Sequence, residues 1–404
     1  MSTRYPGGFI NRSAPVIVGP VDGEGGSAPG VWTLEQASYY TKQGTWPLPA
    51  KQRPLYSFGS NVAGVLGINT DAVSTNTPTQ IGLLTDWKLV AASYYSMSAI
   101  KTNNTLWCWG ENSAGQLGKG NVIQYSSPTQ VGALTNWAVS SMSYMSCAAI
   151  KTDGTLWTWG GNNSGQLGDN TVSIRRSSPV QVGSLVDWQN VKSGEEHVLA
   201  LKTNKTIWTW GINNRGQLGQ NNRIYRSSPV QVGTDANWSY ISCNFYSSFA
   251  TKTDGTLWAW GWNNNGELGQ NNVLYRSSPV QVGALTNWSK TSNAGYAVLA
   301  IKTDGTLWSW GRNNYGQLGQ SNTLDKSSPV QVGSLNTWLN GAGGIYHSIA
   351  TRSDGTLWSF GYNNRGQLGI GNNTNKSSPT QVGSASTWLN ITCGIYSSFV
   401  TQSS

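Results

Sequence analysis

The stretch Ile207-Trp-Thr-Trp-Gly-Ile-Asn-Asn-Arg-Gly-Gln-Leu-Gly219 recurs in variant form along the chain. Two further markers keep the same spacing, an isolated tryptophan such as Trp188 and the run SSPVQVG at Ser227–Gly233. A fixed period of this length is the signature of a repeat protein, in which each unit is one supersecondary element. The opening pentapeptide begins seven times, 50 or 51 residues apart, at Leu55, Leu106, Leu156, Ile207, Leu257, Leu307 and Leu357.

Each repeat unit contains the pattern of four short strands. The first follows the isolated tryptophan, as in Trp188–Ser193, and the second is an apolar run such as His197–Lys202. The third is the LWxWG pentapeptide. The fourth is PVQVG, whose proline suits an outer edge because an edge strand can spare a hydrogen-bond donor. A pair such as Asp254-Gly255 predicts a tight turn between the second and third strands. Four-stranded units of this length predict the blades of a β-propeller.

The two ends of the repeat region predict how the propeller closes. Residues 54–404 open with the third and fourth strands of a unit, Leu55–Gly59 and Pro78–Gly82. They finish with a first and a second strand, Trp388–Thr392 and Ser397–Gln402. We therefore expect an all-β fold of seven four-stranded blades. Both ends of the region would complete one blade and so remove an exposed sheet edge.

Composition and charge limit the remaining possibilities. Charged residues make up 11% of the 404 residues, against about 25% in average proteins, which argues against a helix-rich fold. No apolar run reaches the roughly 18 residues of a membrane span, and the N-terminus lacks the apolar core of a secretory signal. We therefore expect no membrane insertion.

The net charge is +9, with its excess in residues 51–404, which favours anionic partners. The four cysteines lack zinc-ligand spacing and are expected to be free core thiols.

The LWxWGxNxxGQLG and SSPVQVG motifs of residues 55–404 closely resemble the regulator of chromosome condensation repeat. The resemblance implies a seven-bladed propeller that serves as a binding scaffold. Members of that family include a nucleotide exchange factor for a small GTPase, domains of ubiquitin ligases and a bacterial β-lactamase inhibitor, so the fold leaves the ligand open. The family often has histidine at the start of the second strand, and here only His197 and His347 occupy that place. No unit carries an insertion resembling the wedge of the exchange factor, which argues against GTPase activation.

Residues 1–53 differ from the repeat in composition and show no period. We expect an extended attachment arm with one short helix over Gln36–Lys42, capped by Thr33 and ended by Gly44. The pattern GGFI…SAPG followed by WTLEQ…YY…GxWP resembles N-terminal segments of structural and tail-fibre proteins of tailed bacteriophages, which implies docking onto a virion. The alternative is a disordered leader. The predicted docking contacts are the large apolar and aromatic residues Tyr5, Phe9, Ile10, Trp32, Tyr39, Tyr40 and Trp46.

The sequence offers little support for catalysis. His197 follows Glu195 and Glu196, but one histidine with adjacent carboxylates is more typical of a hydrogen-bonded core residue than of a base or metal ligand. The GxSxG, HExxH, P-loop and dinucleotide-binding motifs are absent from the sequence. We therefore predict that the protein is not an enzyme and uses no metal or cofactor.

The repeat places cations on two predicted rings. The first ring, together with Tyr225, Tyr275 and Trp262, forms a candidate binding surface for acidic sugars or phosphates. The alternative is that these residues belong to solvated loops that bind no ligand. The five cations of this ring stand immediately before SSP, and we expect them on one rim: Arg176, Arg226, Arg276, Lys326 and Lys376. The paired tryptophans of LWxWG are expected to pack between blades. The second ring, expected to serve the fold, ends the second strands: Lys101, Lys151, Lys202, Lys252, Lys302 and Arg352.

These observations favour a non-enzymatic structural protein of a bacteriophage virion, such as a tail fibre, a baseplate protein or another displayed adhesin, present in several copies. The arm would bind other virion proteins, and the propeller would bind host-surface glycan or a neighbouring virion protein. The alternative is a bacterial protein-binding propeller such as an enzyme inhibitor. Nucleic-acid binding is supported only by the net charge, and a glycan-cleaving enzyme would need a carboxylate pair that the sequence does not suggest.

Overall fold

The computed structural model describes Ser38, residues 52–71 and residues 73–403. The chain divides into two units, Met1–Gln52 and Arg53–Ser404. The second unit consists of seven antiparallel four-stranded sheets and one short 3-10 helix, Val62–Gly64. The predicted all-β, seven-bladed propeller is therefore confirmed. Apart from Ser38, the expected helix and all the predicted docking contacts of the arm lie outside the described residues, so the attachment arm stays a prediction.

The strands of each blade follow one another from the axis outward, because the first strand of every blade contacts the first strands of both neighbouring blades. The innermost strands are Trp87–Ala92 (β3), Trp137–Met142 (β7), Trp188–Ser193 (β11), Trp238–Cys243 (β15), Trp288–Ala294 (β19), Trp338–Gly343 (β23) and Trp388–Cys393 (β27). The second strands are Ser96–Lys101 (β4), Ser146–Lys151 (β8), His197–Lys202 (β12), Ser247–Lys252 (β16), Ala297–Lys302 (β20), His347–Arg352 (β24) and Ser397–Gln402 (β28). The third strands are Leu55–Gly59 (β1), Leu106–Gly110 (β5), Leu156–Gly160 (β9), Ile207–Gly211 (β13), Leu257–Gly261 (β17), Leu307–Gly311 (β21) and Leu357–Gly361 (β25). The outermost strands are Thr75–Gln80 (β2), Tyr125–Gln130 (β6), Arg176–Gln181 (β10), Arg226–Gln231 (β14), Arg276–Gln281 (β18), Lys326–Gln331 (β22) and Lys376–Gln381 (β26).

The seventh blade is assembled from both ends of the repeat region, as predicted. Its strands lie in the order β2-β1-β28-β27. Leu55 of β1 is paired with Thr401 of β28, and Gly59 with Ser397. Blade 1 therefore begins at β3, and blades 2 to 6 follow in chain order. Because the ring is closed in this way, every innermost strand has the innermost strand of another blade on both sides.

The outermost strand starts earlier than the sequence suggested. In blade 3 it covers Arg226–Gln231 and includes Pro229, whereas the prediction began the strand at the proline. The pairing with β13 shifts register between Thr209 and Gly211, so the outer strand is bulged next to the proline. A bulged outer edge tolerates a residue that lacks the backbone donor.

Adjacent blades are joined through the tryptophan in the fourth position of the LWxWG strand. Trp260 of blade 4 is fully buried, and its indole Nε1 donates a hydrogen bond to the carbonyl oxygen of Gln217 in blade 3, at 2.9 Å. Gly219 lies against the same indole with φ +68°. A Cβ there would be 2.8 Å from Trp260 Nε1, so only glycine allows the contact. The same bond recurs at four other junctions, from Trp109, Trp159, Trp210 and Trp310.

A buried asparagine shapes the loop that carries this carbonyl. The side-chain oxygen of Asn162 accepts the Leu167 N–H at 3.1 Å, and its amide donates to the main-chain oxygen of Thr171 at 3.1 Å. Asn162 is fully buried, so both groups would be left without partners if the side chain were removed. The asparagine that opens the NxxGQLG run therefore holds the loop in the shape that reaches the next blade.

Apolar side chains fill the spaces between blades rather than one central core. One such cluster joins Leu199 and Ile207 of blade 3 to Trp238, Ile241 and Trp260 of blade 4. Six further clusters combine residues from neighbouring blades in the same manner. Each blade is therefore stable only with its neighbours in place, as in other repeat proteins.

We predict that Asn162→Ala lowers the free energy of unfolding by about 1–3 kcal/mol, because two buried backbone groups lose their partners. Denaturant unfolding measures this change. The matched control is Asn163→Ala, since Asn163 is the exposed neighbour in the same loop, and it should change stability by about 0.5 kcal/mol or less. Equal effects of the two substitutions would contradict the structural role of Asn162.

Candidate functional site on the loop face

The two ends of the propeller differ in construction. One end, called here the loop face, carries the hairpins between first and second strands and the long connections between third and fourth strands, such as residues 194–196 and 212–225 of blade 3. The other end, called the turn face, carries the tight turns between second and third strands and the links to the next blade. The propeller unit begins on the turn face, where the Arg53 N–H donates to the Thr85 oxygen.

The ring of cations on the turn face serves the fold, as predicted. The Lys202 ammonium lies 4.7 Å and 4.5 Å from the ring centroids of Trp188 and Trp208, and 3.2 Å from Asp187 Oδ1. In the turn between the second and third strands, only the second residue has a positive φ. In blade 4 this residue is Gly255 (φ +78°), and the preceding Asp254 accepts the Thr256 hydroxyl at 2.7 Å. In blades 1 to 6 the first tryptophan of the LWxWG run lies under the cation that ends the second strand, and in blades 1 to 5 the second tryptophan is buried between blades. The expected packing role of both is therefore confirmed.

The histidine and its acidic neighbours do not come together. His197 is fully buried, and its Nε2 lies 3.0 Å from Ser248 Oγ of the next blade. His347 makes the same contact with Ser398 at 2.9 Å. Glu196 instead accepts the Ser164 hydroxyl at 2.7 Å. Burial lowers the pKa of both histidines to about 3, so they are neutral core residues near neutral pH.

The predicted rim of cations lies on the loop face. Each of the five residues opens its outermost strand opposite the glycine that ends the third strand, as Arg226 does opposite Gly211. Their contacts differ from blade to blade. Arg176 pairs with Asp169 at 3.1 Å, and Arg276 Nε donates to the Gln270 side chain at 3.1 Å. The structure therefore confirms a common position for these cations, and their ligand-binding role stays a prediction.

One junction on the loop face brings together an arginine and three aromatic rings, and it is called here the Trp262 cluster. The Arg215 guanidinium lies 4.5 Å from the Trp262 ring centroid and 5.7 Å from that of Tyr275. The Trp262 and Tyr275 rings are 5.0 Å apart, and Tyr246 lies 5.9 Å from Trp262. The Tyr275 hydroxyl donates to Asn264 Oδ1 at 2.7 Å. Tyr225, the equivalent of Tyr275 in blade 3, is exposed. The cluster is defined by Arg215, Tyr246, Trp262 and Tyr275.

A buried carboxylate supports the loop of the Trp262 cluster. Glu267 replaces the glutamine of the GQLG run and is fully buried. Its Oε2 accepts the Asn265 N–H at 2.9 Å, and its Oε1 accepts the Asn265 side-chain amide at 2.6 Å. Burial raises the pKa of Glu267, and the hydrogen bonds from Asn265 oppose that rise. This loop is therefore tied down more firmly than a flexible surface connection.

Aromatic rings also meet at the centre of the loop face. Tyr94 of blade 1 and Phe245 of blade 4 come from opposite sides of the propeller, and their rings are 5.0 Å apart. Tyr144 lies 4.4 Å from Tyr94, and Tyr296 lies 5.4 Å from Phe245. The hydroxyls of Tyr94 and Tyr246 donate to Glu195, whose pKa is raised by burial. These rings close the loop-face mouth of the central channel. A second group of partly exposed rings lies beside them: Tyr315, Tyr346, Tyr362 and Tyr396.

Sequence reasoning found part of this surface. It placed Trp262 and Tyr275 among the candidate ligand residues, and the structure brings those two together. It missed Arg215 and Tyr246. Arg215 occupies a position that varies from unit to unit, which was the available signal, whereas tyrosine recurs at the position of Tyr246 in five of the seven units. The predicted rim cations Lys326 and Lys376 belong to other blades and are not part of the cluster.

Partly exposed tyrosine, tryptophan and arginine on rigid loops are the residues that dominate binding energies at interfaces, so the fold and its loop face define a binding propeller. Residues 54–400 match the model of the RCC1-like domain, and the chain belongs to this family. No curated protein matches the chain. Within the described ranges, no helix is long and apolar enough to cross a membrane.

Solved structures of the same fold align over most of the propeller. Yeast RCC1 (Prp20), in a complex with Kap60, is 18% identical with a TM-score of 0.77, covering 88% of this chain and 89% of its own. The structure of Prp20p from Saccharomyces cerevisiae, described with its binding to Gsp1p and histones, is 18% identical with a TM-score of 0.78, covering 88% and 92%. Human WBSCR16 is 19% identical with a TM-score of 0.77, covering 87% and 100%. At these identities the likeness establishes the fold.

The two buried histidines predict a loss of stability in acid. Their pKa is about 3 in the folded protein and 6.5 without burial, so between these values the unfolded chain binds more protons than the folded one. Stability should fall as the pH drops through this window, by up to about 1.4 kcal/mol per pH unit for each histidine. Denaturant unfolding at several pH values between about 7 and 5 measures the slope. His197→Gln should make it shallower, and parallel curves for the variant and the wild type would contradict the prediction.

Proposed function

We propose that this protein is a non-enzymatic binding propeller that is carried on a bacteriophage virion and contacts the host surface with its loop face. The observation that carries the binding role is the Trp262 cluster, in which an arginine and three aromatic rings converge on a rigid, partly exposed loop. Residues 1–53, which resemble the N-terminal segments of phage structural proteins, would provide the attachment. The virion would hold several copies.

The placement of the two faces suits display. Arg53, the first residue of the propeller unit, lies on the turn face, at the end of the propeller opposite the Trp262 cluster. An attachment at the turn face would leave the aromatic surface free to meet a ligand. The rigid core between blades would keep that surface preformed, which lowers the entropy lost on binding.

The charges of the loop face favour an acidic polysaccharide as the ligand. Four of the five ion pairs among the described residues lie on the turn face, at Lys101, Lys202, Lys252 and Arg352. On the loop face, Arg215 and Arg312 lie over aromatic rings and have no carboxylate within ion-pair distance in the described part of the chain. Arginine next to stacked rings can hold an acidic sugar through charge-assisted hydrogen bonds and ring contacts.

A protein ligand is the second candidate, and the composition of the loop face favours it specifically. Tyrosine, serine, glycine and asparagine on its hairpins are the residues that dominate antibody paratopes. Solved propellers of this fold include one in a complex with Kap60 and one described as binding Gsp1p and histones. For a virion protein, the partner of this chain would be a neighbouring virion protein. If the chain is instead a bacterial enzyme inhibitor, the partner would be the enzyme that it inhibits.

We expect Trp262→Ala and Arg215→Ala each to weaken binding of the purified protein to host cells by about tenfold or more, as removal of central interface residues does. Flow cytometry of labelled protein on cells measures the change. Leu285→Ala is the control, because it removes an exposed apolar side chain from the turn face, in the link that follows blade 4, and it should bind as the wild type does. Wild-type affinity of both cluster variants would refute the cluster as the contact site.

The same assay separates the two ligand classes. Binding that survives protease treatment of the cells and is lost after periodate oxidation of their glycans supports the polysaccharide. The reverse pattern supports a protein ligand. The virion assignment is tested independently by mass spectrometry of purified phage particles, and absence of the protein from particles whose genome encodes it would exclude that assignment.

A further inference from the structure

The central channel contains a cation that the repeat does not explain. Lys192 lies on the innermost strand of blade 3. The fold does not require a lysine there, because the equivalent positions hold small side chains: Ala91, Ser141, Ser242, Ser292, Ala342 and Thr392.

The channel wall provides no carboxylate for this lysine. The seven innermost strands carry three lysines and no aspartate or glutamate. Lys88 and Lys290 donate to the side chains of Asn104 and Asn340, each at 3.0 Å, near the turn face. Lys192 has no ion pair among the described residues. Burial lowers the pKa of Lys192, and the neighbouring Cys243 thiol is neutral because burial raises its pKa to about 12.

Hydroxyl groups surround the same space. Lys192 lines a cavity of about 240 Å³ together with Ser193, Tyr240, Ser242 and Ser292, which come from three consecutive blades. The hydroxyls of Ser193 and Ser292 are buried and have no hydrogen-bond partner in the protein. A buried hydroxyl without a hydrogen-bond partner costs free energy unless a ligand satisfies it, and the partly buried Lys192 places a cation in the same cavity.

The channel is accessible from the turn face. At the loop face, Tyr94, Tyr144 and Phe245 cross its mouth, and the Ile395 N–H donates to the Tyr94 oxygen at 3.3 Å. Toward the other end, a second cavity of about 180 Å³ shares Tyr240, Thr291 and Ser292 with the first and reaches Lys290. An anion entering here would first pass Lys290.

We propose that the channel is an oxyanion-binding site, in which Lys192 and the hydroxyls of Ser193 and Ser292 hold a phosphate or sulfate group. A tetrahedral oxyanion can accept hydrogen bonds from several directions at once, which suits donors that come from blades 3 and 5. Lys192 and Ser193 lie inside the channel at the loop-face end of β11, whereas Arg215 and Trp262 lie in connections between third and fourth strands, so the two sites are separate.

The test measures binding of inorganic phosphate and of sulfate to the full chain by isothermal titration calorimetry, at constant ionic strength. The wild type should bind one oxyanion per chain, and Lys192→Met should weaken this by about tenfold or more. Lys290→Met is the matched control, because it removes a channel lysine that already has a partner, and it should keep affinity within about threefold. Two arms, inorganic phosphate and sulfate, distinguish the preferred oxyanion.

Thermal unfolding gives a second readout. Phosphate should raise the melting temperature of the wild type and of Lys290→Met more than that of Lys192→Met, beyond the general stabilisation that kosmotropic anions give to all three. If Lys192→Met does not fold, Ser292→Ala removes one donor with a smaller change and should weaken binding severalfold. No oxyanion binding to the wild type, or equal affinity in Lys192→Met or Ser292→Ala, would overturn the proposal.

Discussion

The hydrogen bond from a buried indole to the loop of the preceding blade is the contact on which the rest of the structure depends. It forms only when the loop carbonyl, as at Gln217, is presented to the Trp260 Nε1 of the next blade. Asn213 shapes the loop through the Leu218 N–H, and Gly219 leaves room for the indole. The tryptophan, the asparagine and the glycine of this motif therefore serve a contact between blades, and a blade without a neighbour cannot make it.

Two junctions show that the carbonyl, rather than the indole, is the constant element. Phe360 and Phe58 stand where the other blades have the tryptophan. The carbonyls of Gln317 and Gln367 still accept the hydroxyls of Ser348 and Ser398, at 2.8 Å and 2.9 Å, as the Gln217 carbonyl accepts the Ser248 hydroxyl beside Trp260 at 2.8 Å. The phenyl ring preserves the apolar contact with the loop glycine, and a serine satisfies the buried acceptor, so the junction tolerates loss of the indole donor.

Because the recurrent residues are engaged in folding, function must come from positions at which the units differ. Trp262, Arg215 and Lys192 are such positions, and they lie in separate places. The first two form a surface on the loop face, and the third lies in the channel wall. A rigid scaffold that varies only in its loops and in single inner positions can acquire a new ligand without losing stability.

The sequence by itself determined the blade count, the strand order and the closure of the ring, because a period of 50 residues and the split unit at Leu55 and Trp388 leave few other arrangements. It also predicted the structural roles of the tryptophans and of lysines such as Lys202, since a residue repeated in every unit must meet the same neighbours. The tertiary structure decided which variable residues meet. Tyr94 contacts Phe245 only because closure places blades 1 and 4 across one axis, and Arg215 reaches Trp262 only because adjacent blades are packed at a fixed rotation. Those distances depend on the whole ring, and no local pattern in one unit encodes them.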